Sequence, residues 1–451
     1  MSRDSYTRRG FLKALGIATT ALTMPGCRSS RKASAGKPNF VIIFTDDQGY
    51  ADVGCFGAKG FETPNLDQMA AEGAKFTSFY SAAPVCTPAR AALLTGCYPM
   101  RVSMPRVLFP RDNIGLNPDE ITIADILKTR GYATCCIGKW HLGHLPEFLP
   151  TRQGFDYYFG IPYSNDMNPV VLVEGEQTIE RKPDQSQLTR RYTEKAVEFI
   201  KKNKDRPFFL YLPHTMPHVP LYVSDKFKGK SKQGLYGDVI MELDWSVGQI
   251  LKTVKQLGID ERTLVIFTSD NGPWLSKGAH GGSAKPLRDG KFATYEGGMR
   301  EPCIMRWPGK IPAGAVCSEI ATTMDFLPTF AKLAGAEVPT DRIIDGKDIS
   351  ALMTNPKAKT PYKAFFYYFE SQLGAVRSGQ WKLIMERKRG KKTIPAALYN
   401  LEQDIAEQHD VSAQHPAIVR RLAELADKIR EDIGDSVTGV TGKNVRPPGR
   451  V

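Results

Sequence analysis

Asn39-Phe40-Val41-Ile42-Ile43-Phe44-Thr45-Asp46-Asp47 is the stretch on which the fold of this chain turns. Its apolar, β-branched core shows no alternation of polar and apolar residues, which fits a strand buried on both faces. Two carboxylates follow where that strand would end. Comparable short runs recur at 132–137, 207–212 and 263–268, the last followed by Asp270-Asn271. Helical periodicity falls between them, at 65–73, 121–129, 193–202 and 236–257. Strands alternating with helices predict an α/β domain built on a mostly parallel sheet with helices on both sides.

After residue 353 the texture changes. Thr354-Asn355-Pro356-Lys357-Ala358-Lys359-Thr360-Pro361 reads as a linker. Runs at 365–369, 375–385 and 396–401 then predict a small antiparallel sheet, with a helix over 416–430 packed on it. The expected division is a catalytic domain over 39–355 and a C-terminal α+β subdomain over 362–451. The 451 residues, 41% hydrophobic and 24% charged, suffice for two such units.

The N-terminus reads as an address. Thr7-Arg8-Arg9-Gly10-Phe11-Leu12-Lys13 precedes a modest apolar run over 14–24. Paired arginines before an apolar stretch too short for a bilayer predict a twin-arginine signal over 1–27 and export by that machinery. Residues 28–38 follow as a polar linker. Export puts the protein in the periplasm or at the surface of a bacterium, and a loose lipobox ending at Cys27 offers the one route to a membrane, a lipid anchor. The net charge of +13 suits a polyanionic partner. No arginine-rich helix or aromatic-interleaved basic stripe is present, which argues against nucleic acid. None of the eight cysteines forms a CxxC pair or a zinc-like spacing with histidine.

Chemistry concentrates at two kinds of place. Asp46-Asp47 and Asp270-Asn271 each follow a buried strand, and ligand sites in open α/β sheets form at strand carboxyl ends. Oxygen ligands from two strand ends could hold one hard cation, calcium or magnesium. Each pair could equally cap a helix or start a turn. The second place is Pro84-Val85-Cys86-Thr87-Pro88-Ala89-Arg90-Ala91-Ala92-Leu93-Leu94-Thr95-Gly96. Pro88 suits the first turn of a helix, which puts Cys86 near an N-terminus that favours anions and Arg90 one turn inside it. This reads as an anion site with an activated thiol, or as a buried structural cysteine.

Cys86-x-Pro88-x-Arg90 followed by Ala-Ala-Leu-Leu-Thr-Gly resembles the signature of the type I, formylglycine-dependent sulfatases. One departure stands in it: Cys97 occupies a position where that family carries Arg or Lys. Further motifs agree in order. Gly138-Lys139-Trp140-His141-Leu142-Gly143 is similar to the family's second signature. The stretch 154–164, ending in Ser164, resembles the arylsulfatase A-like branch. Pro217-His218-Val219-Pro220 matches a histidine motif, preferred over His214 because it precedes x-Pro. Gly290-Lys291 leads into Tyr295-Glu296-Gly297-Gly298-Met299-Arg300-Glu301-Pro302, another hallmark. The resemblance covers about residues 38–410.

The resemblance implies an alkaline-phosphatase-like large domain and hydrolysis of sulfate monoesters. Cys86 would be oxidised to formylglycine by a formylglycine-generating or equivalent maturation enzyme. One Ca2+ would be held by Asp46, Asp47, Asp270 and Asn271 beside residue 86. The hydrated aldehyde would attack sulfur to give a covalent sulfo-enzyme. Arg90 would steady the diol, Lys139 and Lys291 would bind the sulfate, and Ser164 would line the substrate site. His218 would protonate the leaving alcohol, and His141 would take the proton that lets the aldehyde re-form. Sulfated carbohydrate is the expected substrate, with aryl sulfates second. A phosphodiester or phosphonate hydrolase on the same fold, and a non-catalytic binder of sulfated glycans, are the alternatives.

Overall fold

The computed structural model describes residues 36–389 and 392–451. The predicted signal over 1–27 with its Cys27, and residues 28–35 of the linker, lie outside these. The strand Asn39–Thr45 forms at the centre of an eleven-stranded sheet. It runs parallel to Phe208–Pro213 on one side and to Thr263–Ser269 on the other. Beyond Phe208–Pro213 come Ala133–Ile137 and Tyr157–Gly160, also parallel, and then the antiparallel strands Val171–Glu174 and Gln177–Arg181. Beyond Thr263–Ser269 lie antiparallel Arg300–Arg306 and, next to it, Ala74–Tyr80, edged by Ala315–Cys317 and Ala321–Thr322.

The unalternating first strand is explained by its two covered faces. Phe40, Ile42 and Phe44 pack with Leu93, Leu94, Phe326 and Phe330 on one side. Val41 and Ile43 pack with Leu188, Tyr192, Val247 and Ile250 on the other. Each such side chain contributes about 1.5–3 kcal/mol on burial, and a slip of one residue would exchange the two faces. The register is therefore firmly held, and it sets Thr45 opposite Ser269. Asp46 and Asp270 leave the sheet side by side as a result.

Four helices follow the predicted pattern, as Pro64–Ala71, Ile123–Lys128, Leu188–Lys202 and Gly234–Gln256. The third begins five residues earlier than its periodicity suggested, because Leu188, Thr189 and Tyr192 extend its buried stripe. The predicted strand over 375–385 is two strands, Gln372–Ser378 and Trp381–Ile384, which pair antiparallel. Gly379 turns the chain between them at φ 58°, a left-handed conformation that glycine adopts freely. With Phe365–Phe369 and Ala397–Asn400 they form a four-stranded sheet, and the helix Pro416–Ile433 packs against it. Among the described residues no helix is long and apolar enough to cross a membrane.

A buried charge cluster joins this small sheet to the large one. The Glu296 carboxylate accepts from Tyr80 at 2.6 Å, Tyr367 at 2.8 Å and Lys382 at 2.9 Å, and Arg300 lies at 3.3 Å. Lys382 also pairs with Glu407 at 2.8 Å, and Glu407 accepts from the Glu296 backbone N–H. Removing one member of such a network strands buried charge of the opposite sign. Glu296→Ala is therefore expected to cost about 3–5 kcal/mol, read by urea unfolding. A loss below about 1 kcal/mol, the scale of a surface pair, would refute that weight.

Beyond the helix the chain returns to the large domain. Arg446 bonds Glu120 at 2.6 and 2.9 Å, and Gly449–Arg450 pairs with Ile114–Gly115. The Arg446 guanidinium also lies 3.3 Å from the Cys97 sulfur. A basic group from the far end of the chain thus stands where the motif itself lacks one.

Candidate active site

The carboxyl ends of the central strands bring the candidate residues together. Asp46 and Asp47 follow one strand and Asp270 and Asn271 its neighbour, while Lys139 enters two residues after the strand Ala133–Ile137. Cys86 is the first residue of the helix Cys86–Thr95, which ends at Gly96 in the left-handed conformation and is buried along its whole length. All of these side chains are buried.

Three cations meet three carboxylates. Lys139 Nζ lies 2.5 Å from Asp46, Lys291 Nζ lies 2.8 Å from Asp47, and Arg90 lies 2.8 Å from Asp270 and 3.5 Å from Asp46. Arg90 also donates to the Lys139 carbonyl at 3.1 Å, and Lys139 reaches Ser164 Oγ at 3.2 Å. Asp270 accepts from the Asp47 backbone N–H at 3.0 Å, so the two strand ends are stitched directly. Burial acts to raise Asp46, but Lys139, His218, Arg90 and Lys291 outweigh it and hold the carboxyl far below its usual range. Burial and the neighbouring Asp46 charge push Asp270 the other way.

The donor set fits a hard cation. Asp46 Oδ1 and Asn271 Oδ1 are buried with no partner. The orientation of Asn271 is fixed because its amide N–H groups donate to Asp47 Oδ1 at 2.8 Å and the Gly272 carbonyl at 2.9 Å. Bare oxygens buried among carboxylates are costly unless something positive meets them. Asp46, Asp47 and His218 also offer ligand atoms within 4.8 Å of one another. Oxygen donors of this kind suit calcium or magnesium rather than a soft metal.

Two histidines of the site, His141 and His218, have a defined tautomer. His141 Nε2 faces the Leu108 carbonyl at 2.9 Å, and a carbonyl only accepts, so the N–H is there. Its Nδ1 is then a bare, buried lone pair. Burial, reinforced by Lys139, keeps the ring neutral. His218 Nδ1 faces the Val219 carbonyl at 2.6 Å and Asn165 Oδ1 at 3.1 Å, which places a proton on Nδ1 and aims Nε2 at Asp47, 3.6 Å away. Burial lowers the His218 pKa and Asp47 opposes that shift. His214 stays out of the cluster. Its Nε2 meets Ser246 at 3.3 Å, and burial pushes it down to about 3.

Cys86 departs from the reading of its segment as an activated thiol. Burial raises its pKa, against the pull of Lys139 and Lys291, so the sulfur stays protonated. A protonated buried thiol is a poor nucleophile. Backbone strain also gathers here: Asp47 at φ 63°, His141 at φ 60° and Phe292 at φ 70° are left-handed residues that are not glycine. Such conformations persist only where surrounding structure enforces them, and they cluster at working sites.

Thr87, Asn165 and Trp274 belong to the site and escape the motif reading. Thr87 Oγ1 donates to the His141 carbonyl at 2.9 Å, and Asn165 orients His218. Trp274 stands 5.7 Å from His218, ring to ring. Adjacency to Cys86 and Ser164 is the signal that could have drawn attention to the first two.

This arrangement defines a hydrolase that works on an anionic ester, and the chain belongs to the sulfatase family. The family profile Sulfatase matches residues 38–336, and a second, "N-sulphoglucosamine sulphohydrolase, C-terminal", matches residues 287–433. The chain is 42% identical to human (Homo sapiens) arylsulfatase A over 447 residues, covering 87% of this chain and 88% of that one. It is 43% identical to N-acetylgalactosamine-6-sulfatase of Canis lupus familiaris over 372 residues, covering 76% and 71%. The solved structure of Ps i-CgsB in complex with k-i-k-neocarrahexaose is similar with a TM-score of 0.78 and 32% identity, covering 87% of this chain and 92% of that one. The protein is a type I, arylsulfatase A-like sulfatase, an enzyme that hydrolyses sulfuric esters.

Proposed function

We propose that the protein is an exported enzyme that removes sulfate from sulfated carbohydrates, using formylglycine made from Cys86 and one calcium ion held by Asp46, Asp47, Asp270 and Asn271. The observation that carries this reading is the set of three cations paired with three carboxylates around a buried Cys86, with two oxygens left bare. Within the site the acids are already matched, so a divalent cation and an anionic ester are suited to enter together.

Formylglycine would supply, as its hydrate, one hydroxyl to attack sulfur and a second whose deprotonation lets the aldehyde re-form. Calcium would supply positive charge against the sulfate oxygens. The chain's own residues do the rest. Lys139 and Lys291 exchange Asp46 and Asp47 for the sulfate oxygens and neutralise charge that spreads as the S–O bond lengthens. Arg90 holds position because Asp270 and the Lys139 carbonyl both grip it. His218 presents Nε2 toward the same acids and, once protonated there, gives its proton to the leaving alcohol. His141 takes a proton at its bare Nδ1. Ser164 extends the sulfate pocket through Lys139. We assign these functions to the unit over 39–355 and treat 362–451 as its supporting subdomain.

The test compares sulfate release from 4-nitrophenyl sulfate and a sulfated disaccharide with phosphate release from the matching phosphate esters. The sulfates are expected to react at least a hundredfold faster (roughly 2.7 kcal/mol of discrimination). A preference for the phosphate esters would move the protein to phosphoryl chemistry on this fold. No turnover, with undiminished glycan binding in Cys86→Ala, would make it a binding protein.

A further inference from the structure

Beside His218 stands an aromatic and cationic feature that the sulfate chemistry does not use. Trp274, four residues past Asp270, is half-buried, with its ring centroid 5.7 Å from that of His218. Lys291 Nζ lies 4.5 Å from the same indole, and the Phe292 ring meets it edge-on at 5.4 Å. The indole therefore borders both the sulfate-binding lysine and the histidine that faces the leaving group. The chain then makes an exposed turn, Leu275–His280, which folds Lys277 back so that its Nζ sits 4.3 Å from the Trp274 centroid.

The two lysines on this indole are in different situations. Lys291 is buried and held by Asp47. Lys277 is exposed, and among the described residues no carboxylate pairs with it. It is a cation held over an aromatic ring, one ring away from His218, with no anion to answer it.

We propose that Trp274 and Lys277 form the subsite for the alcohol half of the substrate, and that they select a saccharide carrying a second anionic group, a carboxylate or another sulfate, near the scissile ester. This rests on the sulfatase reading above, because it takes the leaving oxygen to lie at His218. The sugar ring that bears this oxygen extends away from the metal and the buried lysines, and the indole is the wall it meets. The C–H face of a pyranose buries apolar area on such a ring. Lys277, which is exposed and lies over the same ring, swings aside for the sugar and then meets an anion on the same saccharide. A neutral aryl sulfate can use the indole but has nothing for Lys277.

The test uses the matured full-length enzyme with calcium and four sulfate esters. They are 4-nitrophenyl sulfate, a neutral sulfated disaccharide, its uronate-containing counterpart and a disulfated one. Lys277→Ala is expected to lower kcat/KM for the charged saccharides about fivefold more than for the neutral compounds, the scale of one exposed ion pair, chiefly through KM. Lys277→Arg keeps the preference, and raising the salt concentration erodes it in the wild type. A preference confined to the uronate or to the disulfated compound supports the subsite and identifies the anion. Equal falls on all four esters, or no fall on any, would overturn the subsite while leaving the sulfatase reading intact. A wild type that releases sulfate from none of them overturns that reading and the subsite with it.

Discussion

Cys86→Ala is expected to lower sulfate ester hydrolysis by about 10⁴–10⁶-fold, the range seen when a nucleophile is removed from a site that otherwise still binds. The fold should survive. Cys86 sits among small helix residues, and Arg90, Lys139 and Lys291 keep their carboxylate partners without it. Mass spectrometry of the peptide containing residue 86, from protein matured in its native cytoplasm, is expected to show the aldehyde or its hydrate in place of the thiol. Cys86→Ser adds a sharper readout. A serine carries one hydroxyl, so if it attacks sulfur it has no second one to drive release, and at most one equivalent of alcohol can form per enzyme. An unmodified thiol in a fully active enzyme, or an active Cys86→Ala, would sink the formylglycine reading. The raised thiol pKa already speaks against direct attack by Cys86 sulfur.

Chelation of divalent cations is expected to abolish activity by at least about a hundredfold while leaving the fold in place. The reason lies in the same ion pairs. Without a cation, Asp46 and Asp47 are met by Lys139 and Lys291, so the carboxylates are not left to repel one another. With it, the bare oxygens of Asp46 and Asn271 would gain a partner. Calcium at a hundred times its dissociation constant should stabilise the folded protein by about 2.7 kcal/mol, which a thermal melt with and without the ion reads independently of catalysis. Calorimetric titration should give one ion per chain, and Asp270→Asn should weaken both the binding and the thermal shift. A melt indifferent to calcium, together with activity that survives chelation, would refute the metal site.

Much of this was legible in the chain because local patterns there coincide with global roles. A strand buried on both faces cannot alternate, so 39–45 announced itself by composition, and its carboxyl end marked the place where Asp46 and Asp47 meet Lys139 and Lys291. The helix starting at Cys86 was readable from Pro88 and from the small residues after it. Other elements were hidden for equally physical reasons. Ala74–Tyr80 intersperses Lys75, Thr77 and Ser78 among its apolar residues and lies toward an edge of the sheet, where Lys75 donates to the Cys55 carbonyl and Thr77 to the Cys317 carbonyl. The extended run over 375–385 concealed a turn at Gly379, where only the backbone angle decides.

The order of motifs along the chain by itself determined the α/β class, the sulfatase family resemblance and the residue types of the site. Tertiary structure alone decided how these residues meet. Three separate ion pairs balance the acids, the histidine tautomers follow from carbonyls at Leu108 and Val219, and Trp274 stands against His218. It also decided the fate of Cys97, where the motif lacks its basic residue and Arg446 supplies a guanidinium from 349 positions away. Spacing in sequence reports which groups a strand or helix delivers. Charge balance and proton position depend on what other strands bring within a few ångströms, and only the packed sheet sets that.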